Sequence, residues 1–80
     1  MVSGNDAVIS DVLRDVIGYT GPIRDDMRNL DIPGWDSVAH ISIVEALEQR
    51  FGVRLTTEEM IEMGSIQKIK AILGRHGVTF

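Results

Sequence analysis

The chain has 80 residues, of which 44% are hydrophobic and 25% charged, with a formal net charge of −4 and no cysteine. That apolar share suffices for one small core and excludes the composition of a disordered chain. The missing cysteine excludes a disulfide scaffold, thiolate catalysis and cysteine-bound zinc, and the acidic balance argues against nucleic acid as a partner.

Four helical segments divided by glycines are predicted. The first covers residues 6–17, where Ile9, Val12, Leu13, Val16 and Ile17 recur at three- and four-residue steps and form one stripe. Ser3, Asn5 or Asp6 are candidate caps for its start, and Gly18 is a natural stop. Residues 18–35 then form a long connection, with turn signals at Gly21-Pro22 and Pro33-Gly34. Ile23, Met27, Leu30 and Ile32 are expected to anchor it to the bundle, with a short helical turn over residues 23–28.

The second helix is predicted over residues 37–50, with Ile41, Val44, Leu47 and Phe51 as its core stripe. Val38 and Glu45 fall at the margin of that stripe. Asp36 caps the start and Gly52 ends the helix. After an extended link at Val53-Arg54-Leu55, Thr56 with Glu59 forms a capping-box pattern for a short third helix ending at Met63-Gly64. Ser65 caps a fourth helix that turns Ile66, Ile69, Ile72 and Leu73 inward and is expected to stop at Gly74. Glu58 and Glu59 lie early in the third helix, and Lys70 and Arg75 late in or just past the fourth, as the helix dipole favours. The expected fold is all-α, a small four-helix bundle with a long first loop and a short third helix. One domain over residues 1–80 is expected, with its core at about 4–74.

No apolar run approaches the ~18 residues of a membrane span, and no basic segment followed by an apolar stretch marks Met1 as the start of an export signal. A cytoplasmic monomer without membrane insertion is therefore expected. The segment Gly34-Trp35-Asp36-Ser37-Val38 places a hydroxyl at the first turn of a helix, where a phosphate on the serine would be tolerated. The plain alternative is that Asp36 and Ser37 are only helix-start residues. A hydrolytic triad of Ser37, His40 and Asp36 has poor geometry, because all three share one helical turn and no Gly-x-Ser-x-Gly motif is present. His40 reads instead as a rim histidine on the side of Val44 and Phe51.

Asp25, Asp26, Asp31 and Asp36 lack the alternation, central glycine and closing glutamate of a calcium loop and read as a solvated acidic loop. His40 and His76 are too isolated for a zinc centre, so no metal site is expected. The methionines Met1, Met27, Met60 and Met63 read as core filler, with Met60 and Met63 able to re-pack around a flexible guest.

Asp36-Ser37-Val38, followed by Ile41, Val44, Leu47-Glu48 and Phe51-Gly52, resembles the second-helix signature of acyl carrier proteins. That signature is Asp-Ser-Leu leading into a hydrophobic helix that ends in Leu-Glu and Phe. The first helix, the long loop, the third helix after Thr56-Thr57 and the fourth from Ser65 follow in family order, over residues 4–74.

The resemblance implies a carrier rather than an enzyme. A phosphopantetheinyl transferase would draw on coenzyme A and magnesium to attach 4′-phosphopantetheine to Ser37, and the arm's thiol would carry acyl groups as thioesters between loading and processing enzymes. Asp36 would assist the transferase's metal site, Val38 would complete the motif, and Val38, Glu45 and Glu48 would face docking partners. Ile43, Leu47, Met60 and Met63 match the positions that shelter an acyl chain in some members.

Val38 stands where the family usually has leucine or methionine. Ala39, Ser42, Gln49 and Arg50 thin the acidic surface of the second helix, and complementary charge steers encounter. The departures resemble a discrete carrier for a specialised pathway more than a housekeeping fatty-acid carrier. Pro33-Gly34-Trp35 differs from the Gly-Gly-Asp/His-Ser pattern of many peptidyl carriers. An aminoacyl or peptidyl carrier and an arm-less helical interaction module stay open as alternatives.

Overall fold

The apolar stripes fold as four helices in the computed structural model, which describes residues 4–80. They are α1 (Gly4–Ile17), α2 (Ser37–Phe51), α3 (Thr57–Glu62) and α4 (Ile66–Arg75). There is no strand among the described residues, only an isolated bridge between Arg28 and Ser65. α1 lies along α2 and contributes Ile9, Val12 and Leu13 to the core, while α4 contributes Ile66, Ile69, Ile72 and Leu73. No polar or charged residue among those described is buried, so the interior carries no desolvated group poised for chemistry.

The inward face of α2 differs from the expected stripe. Ile43, Val44 and Leu47 are the buried residues, whereas Ile41 is 49% exposed. At about 100° per residue, Ile43 lies about 40° from Leu47 and Ile41 about 120° away. Apolar residues on both sides of α2 widen the stripe, and packing against α1 selects the arc centred on Leu47.

The start of α1 also differs. It begins at Gly4, so Asn5 and Asp6 lie in its first turn instead of capping it, and Ser3 and Met1 fall outside the described residues. Asn5 donates its side-chain N–H to the Thr79 carbonyl at 2.6 Å. Asp6 and Asp25 both pair with Lys70 Nζ, at 2.6 and 2.7 Å. This joins α1, the long loop and α4, and the hydrogen bonds that the Lys70 ammonium donates to Asp25 and Asp6 hold its pKa above the ordinary lysine value.

The long loop packs onto the bundle through Met27, Ile32 and Trp35, all buried, with Ile23 half-buried. Leu30 is not an anchor, being 80% exposed. The helical turn lies at Asn29–Asp31, later than the expected residues 23–28, and it carries Leu30 outward. The loop supplies partners for the start of α4. Met27 and Asp25 carbonyls accept from the Ile66 and Gln67 N–H groups at 3.0 and 3.2 Å, and Ser65 Oγ accepts from Lys68 N–H at 3.1 Å. Three amides that a helix leaves unpaired are thereby satisfied, two of them by the distant loop.

α3 is short and held at both ends. Thr56 and Glu59 form the expected capping box, and Glu59 also meets His76 Nε2 at 3.0 Å just past α4. The Thr56 backbone N–H, followed by His76, holds the Glu59 carboxyl below its usual range. α4 runs past Gly74 to Arg75. The left-handed residue there is Gly77, with φ 89°, so the chain turns three residues beyond the expected stop.

Candidate functional site

α2 begins at Ser37 because Asp36 caps it: the Asp36 carboxylate accepts from Ala39 N–H at 2.8 Å. The turn that delivers the chain to this point needs glycine at Gly34. Its φ is 89°, and a Cβ there would stand 3.3 Å from the Ile17 side chain. Ser37 is exposed at the helix start, where the amides and the dipole favour a negative group.

Trp35, two residues before Ser37, is buried at 6% exposure and fixes the end of the loop. Its indole Nε1–H donates to His40 Nδ1 at 3.0 Å. Indole N–H can only donate, so Nδ1 is the accepting nitrogen and the proton sits on Nε2. The Nε2–H then donates to the Met60 carbonyl at 2.7 Å. Both ring nitrogens are thus engaged, and the Trp35 and His40 rings stack with centroids 6.0 Å apart. His40 is the rim histidine expected from its place on α2. It has no free nitrogen to act as a base for Ser37, and the triad is rejected on that ground.

A groove of about 490 Å³ opens beside Ser37, lined by Asn29, Leu30, Trp35, Asp36, His40, Ile61 and Gly64. Asp36 is the one charged side chain in that lining. Leu30 and Ile61, 80% and 74% exposed, form its apolar rim, and Val38 at 76% exposure lies beside it on α2. A larger depression of about 660 Å³ shares Ile61 and Gly64 and is otherwise lined by charged and polar residues, although most of its surface is apolar. Its one hydroxyl, on Ser65, already caps α4.

The residues expected to face partners divide. Val38 and Glu45 are exposed on the outer side of α2 with Ser37. Glu48 is half-buried, and its carboxylate accepts from Leu55 N–H at 2.8 Å, fastening the link into α3. Ile41, assigned to the core from sequence, joins Val38 on the outer side. The four residues matching an acyl shelter also divide. Ile43, Leu47 and Met63 are core residues with at most 1% exposure, while Met60 is partly buried at the edge.

Among the described residues no group of three His, Cys, Asp or Glu side chains converges to hold a metal. The loop acids have local partners: Asp25 pairs with Lys70, Asp26 with Arg24, Asp31 with Arg28, and Asp36 caps α2. No helix among the described residues is long and apolar enough to cross a membrane.

Sequence reasoning missed the Trp35–His40–Met60 bridge and the exposed Ile61. The helical spacing of α2 concerns only its own faces, whereas the bridge joins three elements through space. Ile61 stands about 100° from Met60 around a helix of six residues, too short for a period to show which of the two faces the core. Comparison with protein families finds a match over residues 7–73 to the family described as the phosphopantetheine attachment site. Neither the curated proteins nor the solved structures give a significant match.

Proposed function

The chain belongs to the phosphopantetheine-attachment family, and we propose that Ser37 is the serine on which it carries 4′-phosphopantetheine. Domains of this family are non-catalytic carriers that work with phosphopantetheinyl transferases and acyl-processing enzymes. One observation carries the assignment: Ser37 is exposed at a capped helix start, inside the matched span and beside an open groove. The residues present fit the group. The helix start favours the phosphodiester charge, and the apolar rim of Leu30 and Ile61 suits the arm above it. When bound, the arm supplies a thiol that holds acyl groups as thioesters, which a chain without cysteine cannot provide itself.

In the attachment step, the Ser37 oxygen forms the new ester bond to phosphorus and its proton leaves to the transferase. The phosphoanhydride bond of coenzyme A would break as that ester forms, with the nucleotide as leaving group. Asp36 holds the first turn of α2 in place through its bond to Ala39 N–H, and its carboxylate stands next in sequence for the transferase's magnesium. His40 takes no part in proton transfer, since both its nitrogens are engaged.

The cargo is an acyl group rather than an aminoacyl group, and the setting is a specialised pathway in the cytoplasm. Two features support this reading. Trp35 stands two residues before Ser37 in place of the peptidyl-carrier pattern, and Ala39, Ser42, Gln49 and Arg50 interrupt the acidic surface of α2. Partners would meet the outer face bearing Val38, Ile41 and Glu45, with Glu48 a lesser contributor because Leu55 N–H engages it. Intact mass of protein purified from its own host tests the reading. A species heavier by one phosphopantetheine plus an acyl group supports it, and one carrying an amino acid on the arm overturns the cargo assignment.

A further inference from the structure

We infer that the Trp35–His40–Met60 bridge bars the seam between α2 and α3, so that an acyl chain on Ser37 lies in the outer groove against Leu30 and Ile61 and not inside the bundle. The inference rests on Ser37 being the attachment site. His40 stands one turn after Ser37 and about 20° from Leu47 around α2, on the inward arc. It therefore occupies the mouth of the seam, between the attachment point and the core. Its bond to the Met60 carbonyl, at 2.7 Å, spans from α2 to α3 at that mouth.

α3 is fastened on its other sides as well. Leu55 N–H is held by Glu48, Glu59 meets His76, and the Gly64 carbonyl accepts from Asn29 N–H at 2.8 Å. Behind the mouth, Ile43, Leu47 and Met63 are at most 1% exposed. A chain entering there would have to break the His40 bond and move α3 before meeting any apolar surface. The groove of about 490 Å³ asks for neither, because it is open and Ser37 already lines it. Its apolar contacts are few, so the cargo class it suits is a short or polar acyl group; a long unbranched chain would leave methylenes in water.

Methyl NMR of the protein labelled at Ile, Leu and Met, before and after transfer of octanoyl-phosphopantetheine from octanoyl coenzyme A, tests this. In the wild type, loading shifts the Ile61 and Leu30 methyls and leaves Ile43, Leu47 and Met63 in place. In His40→Ala the Ile43, Leu47 and Met63 methyls shift on loading. His40→Gln, which keeps an acceptor and a donor, leaves them in place. Where His40→Ala loses its helical circular-dichroism signal, His40→Leu supplies the opened form, since it keeps apolar bulk on α2 and removes the bond to the Met60 carbonyl.

Core methyl shifts on loading the wild type would overturn the inference, as would silent core methyls in a folded, opened variant. Failure of the octanoyl arm to attach at all would show as an unchanged mass. That result would overturn the attachment reading and this inference with it, whereas attachment with core shifts overturns only the inference.

Discussion

His40→Ala removes a neutral side chain that bonds in two directions, and its cost follows from the geometry. The Trp35 Nε1–H and the Met60 carbonyl lose their partners at 3.0 and 2.7 Å. Each such bond contributes about 1 kcal/mol net. The stacking of Trp35 on His40 adds about 0.5 kcal/mol or more, and the better helix propensity of alanine returns about 0.5 kcal/mol. A net loss of about 2 kcal/mol is expected, out of a total of roughly 4–12 kcal/mol for a chain of this length. The melting temperature should fall by roughly 8–16 °C.

Urea unfolding followed by circular dichroism measures the loss. Trp35→Phe, alone and combined with His40→Ala, completes a double-mutant cycle, and the coupling between the two positions is expected near 1 kcal/mol. A His40→Ala protein within about 0.5 kcal/mol of wild type, the spread of an ordinary surface substitution, would refute the bridge as a structural tie.

Two further outcomes follow from the caps. Asp36→Asn keeps an N-cap and should leave stability within about 0.5 kcal/mol of wild type, whereas Asp36→Ala should cost about 1 kcal/mol by urea unfolding. Slower phosphopantetheine transfer to both variants in timed mass spectra would place the carboxylate in the transfer step, and slower transfer to Asp36→Ala alone would confine it to capping. Glu59 has a folded pKa below its ordinary 4.5. Its capping contribution is therefore present above that value and lost as pH falls through the lowered one. Glu59→Gln should flatten that part of the fall in stability as pH drops below 4.5 in urea titrations; an unchanged pH profile would exclude the contribution.

The elements legible from sequence were those set by local rules. Asp36, Thr56 and Ser65 each cap the helix they were expected to cap, because a side-chain oxygen meeting an amide three residues on depends on nothing distant. The spacing of Ile66, Ile69, Ile72 and Leu73 was unambiguous because α4 is polar elsewhere, and all four are buried. α2 has apolar residues on both sides, so periodicity alone could not choose between Ile41 and Ile43; contact with α1 chose Ile43.

Leu30 was misplaced for a related reason, since an apolar residue in a loop has no period to orient it. Gly74 reads as a stop from its identity alone, but it stays helical and the left-handed turn falls at Gly77. At the site, Ser37 and Asp36 were legible as a helix-start pair. The engagement of His40 with Trp35 and Met60 was not, because the Met60 carbonyl reaches it across a sequence separation of 20 residues.

The most direct measurement is the intact mass of wild type and Ser37→Ala after incubation with coenzyme A, magnesium and a broad-specificity phosphopantetheinyl transferase. Wild type should gain one phosphopantetheine. Ser37→Ala should gain nothing while keeping its helical circular-dichroism signal. A wild type that stays unmodified under conditions that load another carrier, or a Ser37→Ala protein that still gains the arm, would contradict the assignment of Ser37.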